Sequence, residues 1–285
     1  MKKNATAKFP INIEGLKFTK SDIFIIIFFI LSFWISYLYL KFNQSLIFFF
    51  LILILLIMIM KYARFLNTSL SSKLDSLITQ TESIFSVFNS LQGGIHLPQM
   101  NSWAISPDLA KLLIEIVLDY KPQVIVECGG GTSTIILGRM LQLQGKGKIF
   151  TIENFENSID TIKKYIRQND LENFVNIISA PLKSQTLGTE TQNWYDFNSI
   201  PFISNIDLLF IDGPPQHNQP KGTLARYFAL PFFYRHLKKG AVIILDDGAR
   251  PAEKQIVKMW TNEFDIESRL IELSNRGVWL INKIR

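Results

Sequence analysis

Two uncharged apolar runs constrain this chain more than any other feature. From Ile23 to Leu40 only Ser32 and Ser36 are clearly polar, and from Leu46 to Met60 nothing is polar. As helices rising about 1.5 Å per residue, the runs extend about 27 Å and about 22 Å. The hydrocarbon core of a bilayer is about 30 Å thick. Lys61 and Arg64 follow the second run and can snorkel, which lengthens its effective span. A signal peptide would carry one short apolar core and a cleavage site. Helices packed on the surface of a soluble core are apolar on one face and not all round. The expectation is a transmembrane hairpin over 23–60, with spans 23–40 and 46–60. A single span followed by a re-entrant segment is the alternative.

Charge orients such a hairpin. Lys2, Lys3, Lys8, Lys17 and Lys20 precede the first run, and Lys61, Arg64 and Lys73 follow the second. The connecting turn holds only Lys41. Both ends are therefore expected on the cytoplasmic side, which in a bacterium means the inner membrane. Of the formal net charge of +6, most lies in residues 1–60, where six lysines oppose Glu14 and Asp22. The basic balance reports membrane topology, and no nucleic-acid partner is expected from it. One cysteine excludes an intramolecular disulfide framework and a multi-cysteine zinc site.

Residues 1–22 read as a basic N-terminus and residues 61–94 as a helical stalk. In the stalk Leu70, Leu74, Leu77, Thr81, Ile84, Phe88 and Leu91 recur in steps of four and three. Such a seam suits a homodimer through residues 67–91, or an amphipathic helix lying on its own domain or on the membrane surface. Gly93-Gly94 and Pro98 end it.

From residue 95 to 285 helices and strands alternate. Strands are expected at Val124–Glu127, Lys148–Ile152, Val175–Ser179, Ile206–Ile211 and Ala241–Leu245, with a final pair near Ile266–Leu273 and Val278–Ile281. Helices are expected from Ser106-Pro107 to Tyr120, over Thr132–Gln144, Asn157–Asn169, Leu224–Leu237 and Ala252–Asn262, with a long loop over 182–205. Mostly apolar strands alternating with helices make a parallel sheet covered on both faces. Ligands of such sheets bind at the carboxyl ends of the strands, where strand order switches.

Chemistry stands at those ends. After the first strand, Glu127 precedes Cys128-Gly129-Gly130-Gly131-Thr132-Ser133. Glycines let backbone approach a ligand, and the following helix start offers free N–H groups. A phosphate gains nothing from a carboxylate there, whereas a sulfonium with an amino-acid tail does. Glu153, after the second strand, suits both hydroxyls of a ribose. Asp212 follows the fourth strand, and Asp246 and Asp247 the fifth. Three carboxylates on adjacent strand ends suit Mg²⁺, and they equally suit helix capping and pairing with Arg226 or Arg250. His217 offers a general base or a solvated loop side chain. Cys128 reads as a packed residue, and Trp194-Tyr195 as a pocket wall or a loop anchor.

As a set, Val124–Thr134 (VIVECGGGTST), Glu153, Ile206–Pro215 (IDLLFIDGPP), Arg226-Tyr227, Gly240–Arg250 (GAVIILDDGAR), Glu253 and Trp260 resemble class I S-adenosylmethionine-dependent methyltransferases. The branch is methyltransferase domain 24, related to catechol O-methyltransferase. The resemblance covers about residues 97–283. It implies a Rossmann-like seven-stranded sheet whose last strand is antiparallel. It implies S-adenosylmethionine near Glu127, Gly129, Gly131, Thr132, Ser133, Glu153 and Asp212, with Asp212, Asp246 and Asp247 as metal ligands. Asp212 and His217 are the candidate catalytic residues. Catechol enzymes carry Asn where Asp247 stands and a lysine base soon after the fourth strand, where this chain reads GPPQHNQPK. The (Asp/Asn)-Pro-Pro-aromatic pattern of amino-methylating DNA enzymes is absent, since Gly213 separates Asp212 from Pro214 and Gln216 follows Pro215.

The expected activity is O-methylation of a glycan, lipid-linked or small-molecule acceptor by a membrane-anchored enzyme, with the bilayer as a partner. Two rivals make different demands. A nicotinamide-dependent oxidoreductase or epimerase needs no acid before the glycines; Tyr234 and Lys238 have short-chain dehydrogenase spacing but fall at the wrong end of their helix. A non-catalytic membrane scaffold would have lost its ligand-binding positions.

Overall fold

A computed structural model describes residues 20–39, 44–100, 104–216, 223–273 and 276–285. The chain divides into two units, Met1–Asp75 and Ser76–Arg285. In the first, α1 (Lys20–Tyr39) and the opening part of α2 (Gln44–Ser90) carry the two apolar runs. Many of their described apolar side chains, among them Phe24, Phe28, Trp34, Phe48 and Leu55, are more than half exposed. The rings of Phe29 and Phe50 approach to 6.0 Å between the two helices. Among the described residues one helix, Phe48–Ser90, is long and apolar enough to cross a membrane, with mean hydropathy 2.3 over its best window and none of that window buried. The expected turn at 41–45 lies largely outside the described residues.

The second apolar run and the segment that follows it are one uninterrupted helix, because nothing between Met60 and Ser90 is a breaker. It ends where Gln92, Gly93 and Gly94 all take positive φ. In the second unit its last turns dock on the α/β domain through Ser83, Val87 and Leu91, all buried. Most of the heptad seam is not the docking face. Leu77, Ile84 and Phe88 stay exposed, and Leu91 alone of the seam is buried.

The domain is built on a seven-stranded sheet. Its strands are β1 (Val124–Cys128), β2 (Lys148–Glu153), β3 (Val175–Ser179), β6 (Ile206–Ile211), β7 (Leu237–Leu245), β8 (Ile266–Ile271) and β9 (Val278–Lys283). The order is β3-β2-β1-β6-β7-β9-β8. The first five run parallel, and β9 is antiparallel to both β7 and β8. This is the Rossmann-like class I methyltransferase sheet. Alternate strand residues feed two cores. Ile125, Leu208, Phe210 and Ile244 pack against α3 (Pro107–Tyr120), α4 (Thr132–Gln144) and α5 (Glu156–Gln168). Val126, Leu209, Ile211 and Ile243 pack against α6 (Ala229–Phe233) and α7 (Pro251–Glu263).

Two expectations fail locally. The 182–205 stretch is not a bare loop: β4 (Leu182–Leu187) and β5 (Glu190–Tyr195) form an antiparallel hairpin in its own two-stranded sheet. Only Gly188 and Thr189 lie outside the ladder, and Gly188 supplies the positive φ a tight turn needs. The strands are polar, so they carry no apolar alternation. The helix expected over Leu224–Leu237 shrinks to α6 and a 3-10 turn at Tyr234–His236, and β7 begins at Leu237. Pro231 is tolerable only in a first helical turn, where its missing N–H is not required.

Candidate active site

The strand register builds the site. Cys128 pairs with Ile152 on one side and Ile211 on the other, and Ile211 pairs with Leu245. One residue further along each strand, Gly129, Glu153, Asp212 and Asp246 form a row across the carboxyl edge of the sheet. The chain leaves β1 toward β2 and β3, then crosses to β6 and β7, so the switch in strand order lies between Gly129 and Asp212.

Glycine is required at that junction. Gly129 has φ +88°, and a Cβ on it would lie 2.9 Å from Gly213 N. A Cβ on Gly213 would collide with the Tyr195 hydroxyl and the Gly129 backbone, and one on Gly130 would meet Thr151 and Ile162. Gly131 differs, since a Cβ there would meet nothing within 4 Å. The first turn of α4, Thr132 and Ser133, follows this open position. The space over Gly131 and the N–H groups of that turn, which a helix start leaves without intrahelical partners, can receive the tail of a ligand.

Glu127 is wholly buried. Its Oε2 accepts hydrogen bonds from Thr134 Oγ1 at 2.6 Å and Thr151 Oγ1 at 2.7 Å, while Oε1 has no partner among the described residues. Burial raises its pKa to about 7, against the lowering effect of the neighbouring hydroxyls. Glu153 is held by backbone: Oε2 accepts from Gly130 N at 2.9 Å, and Oε1 from Asn154 N and Phe155 N at 2.7 and 2.8 Å. It thus locks the glycine loop to the end of β2. Burial pushes the Cys128 thiol far up, so it is an inert packed residue.

The acids after β6 and β7 gather around Arg226. Its Nη2 donates to Asp212 Oδ1 at 3.0 Å, Asp247 Oδ2 at 2.9 Å and the Asp212 carbonyl at 2.9 Å; Nη1 donates to the Asp246 carbonyl at 2.9 Å. Glu253 lies 3.7 Å from Nη1, and Arg250 reaches Asp247 Oδ2 at 2.8 Å. Burial raises the pKa of Asp212 and Asp246, mutual repulsion adds to it, and Arg226 counters it. Asp212, Asp246 and Asp247 each offer a ligand atom within 4.8 Å of the others. Asp246 Oδ2 and Asp247 Oδ1 accept no hydrogen bond among the described residues. Arg226 thus ties the ends of β6 and β7 together, while Asp246 Oδ2 and Asp247 Oδ1 remain as hard oxygen donors.

The expected site residues Glu127, Gly129, Gly131, Thr132, Ser133, Glu153, Asp212, Asp246 and Asp247 all fall on this one edge. His217 lies outside the described residues. The hydroxyl pair under Glu127 escaped the sequence reading, although Thr151, a polar residue inside the apolar strand KIFTIE, was the available signal. Tyr234 and Lys238 stand elsewhere: Lys238 pairs with Asp207 at the opposite end of β6, and Tyr234 packs against Phe264. The dehydrogenase spacing is coincidental.

Comparison with known proteins agrees with this geometry. Residues 126–248 match the family model described as a methyltransferase domain. The α/β unit is a class I S-adenosylmethionine-dependent methyltransferase domain. The chain is similar in fold to an SAH-bound methyltransferase of Podospora anserina, with 15% identity, a TM-score of 0.52, and coverage of 71% of this chain and 88% of that one. A methyltransferase of Geobacter sulfurreducens is similar at 14% identity and a TM-score of 0.50, covering 76% and 96%. No curated protein sequence matches the chain.

Proposed function

We propose that this chain is a membrane-anchored methyltransferase that moves the methyl group of S-adenosylmethionine onto an acceptor oxygen. The observation that carries this is the row of acids at the switch point beside the open Gly131 position. Glu153 receives the ribose hydroxyls. Gly129, Gly131, Thr132 and Ser133 receive the methionine tail, and Glu127 offsets its positive charge from beneath. The acceptor oxygen attacks the methyl carbon in line as the carbon–sulfur bond breaks, the sulfonium leaves as a thioether, and the acceptor proton is released. Alignment and fixed charge supply most of the acceleration. Asp212 orients the acceptor hydroxyl and takes up its proton. Asp212, Asp246 and Asp247 are also the residues that would hold Mg²⁺, whose chemistry there is to lower the pKa of the acceptor hydroxyl.

The two apolar runs support a two-span anchor over 23–60, with the basic flanks and the catalytic domain cytoplasmic. They favour an acceptor presented at the membrane, a lipid-linked glycan before a small molecule. The exposed stripe of Leu70, Leu74 and Leu77 supports a homodimer through the stalk. Calorimetry of the full chain in detergent with S-adenosylmethionine tests the central reading. Micromolar binding is expected, and absence of binding refutes it. Mass spectrometry of lipids and glycans from cells with and without the protein identifies the acceptor as a species one methylene heavier in its presence.

A further inference from the structure

Tyr195 is the last residue of β5 and is wholly buried. Its ring sits in the aromatic core beside Trp194, with the centroids 5.1 Å apart. Its hydroxyl, however, has no hydrogen-bond partner among the described residues. A buried phenol ordinarily finds one. The position of the hydroxyl is fixed by its neighbours: it occupies the space a Cβ on Gly213 would need, and that same point lies 2.9 Å from Gly129 Cα. The hydroxyl therefore lies at the seam where the loop after β1 meets the loop after β6, which is the switch in strand order. Cys128, Glu153, Arg226 and Asp212 act on it electrostatically; Cys128 ends β1, Glu153 and Asp212 stand on the strand-end row, and Arg226 pairs with Asp212. Burial keeps the phenol protonated at neutral pH, so it is a standing donor.

We propose that Tyr195 is a cofactor-binding residue whose hydroxyl donates a hydrogen bond to the nucleoside part of bound S-adenosylmethionine, opposite the acceptor carboxylate of Glu153. The inference rests on the reading of this edge as an S-adenosylmethionine site and adds a phenolic donor to it. It also gives the β4–β5 hairpin a task, since this hairpin carries the residue to the seam.

The test compares the full chain and its Tyr195→Phe variant in detergent by calorimetry with S-adenosylhomocysteine and by thermal melting without ligand. The expected result is a Kd weaker by about five- to tenfold. The ligand-free Tm should be unchanged or raised, because the variant loses an unpaired polar atom and no contact. An unchanged Kd in the variant, with the parent chain binding normally, overturns the proposal. So does a lowered ligand-free Tm with an unchanged Kd, which would mark the hydroxyl as part of the fold. If the parent chain itself binds neither S-adenosylmethionine nor S-adenosylhomocysteine, the reading of the site falls, and this inference falls with it.

Discussion

At the scale of single residues, the glycines of the β1–α4 loop separate structural from ligand-facing roles. Gly129→Ala forces a side chain into positive φ and against the Gly213 backbone, so it is expected to lower the Tm of the ligand-free protein. Gly131→Ala meets only open space. It should leave the ligand-free Tm within a degree or two while weakening S-adenosylmethionine binding about tenfold or more in calorimetry, because the methyl group enters the space proposed for the cofactor. Glu127 makes a pH prediction. Its folded-state pKa is raised to about 7 from 4.5. The folded state thus holds a proton that the unfolded chain has lost, and stability from this group falls as pH rises between those values. A cationic ligand prefers the ionised form, so affinity for S-adenosylmethionine should increase from pH 6 to pH 8. In Glu127→Gln the affinity should be weaker and flat across that range. A flat profile in the parent chain would refute the placement of the sulfonium tail near Glu127. The acid itself was plain in the sequence, at the end of a buried run. That burial raises its pKa while only hydroxyls, from Thr134 on α4 and Thr151 on β2, favour its ionised form was decided by the packing of those elements.

At the scale of elements, Arg226 and the hairpin do the joining. Arg226 bonds to backbone carbonyls at the ends of β6 and β7 and faces acids from β6, β7 and α7. Arg226→Met removes the buried cation but keeps much of the volume. It should destabilise the domain by about 3–5 kcal/mol in urea titrations near neutral pH, since uncompensated carboxylates are left behind. The deficit should shrink as pH falls toward the ordinary carboxylate range, where those acids protonate. The β4–β5 hairpin is pinned by Trp194, whose ring meets Phe197, Phe228, Phe232 and Phe233. Trp194→Ala should cost about 3–5 kcal/mol by the same measurement. Most strands of the main sheet were legible because each contains a short apolar run. The hairpin was not, because its exposed strands LKSQTL and ETQNWY are mostly polar, and their pairing is held by the ladder and by a few aromatic anchors. The shortened α6 has a sequence signal in Pro231, set among apolar residues that favour a longer helix.

At the scale of the whole molecule, the prediction concerns location. The full chain should remain with the membrane fraction through a high-salt and a carbonate wash, and deletion of residues 1–66 should release it to the supernatant; release of the full chain by salt alone would refute an integral anchor. The sequence by itself determined the materials of this protein. Side-chain transfer energies make two long uncharged runs unsuited to water whatever surrounds them, and the alternation of apolar strands with amphipathic helices admits few folds besides a parallel sheet covered on both faces. It also placed acids and glycines at strand ends, because strand ends are local features. Only the tertiary structure decided which of those ends are neighbours. The register of β1 with β2 and β6 lines up Gly129, Glu153 and Asp212, and Arg226 is drawn in from a distant segment to hold the acids. It also brings the Tyr195 hydroxyl to the Gly129–Gly213 seam. Hydrogen-bond register and close packing act between residues far apart in the chain, and composition and periodicity carry no record of them.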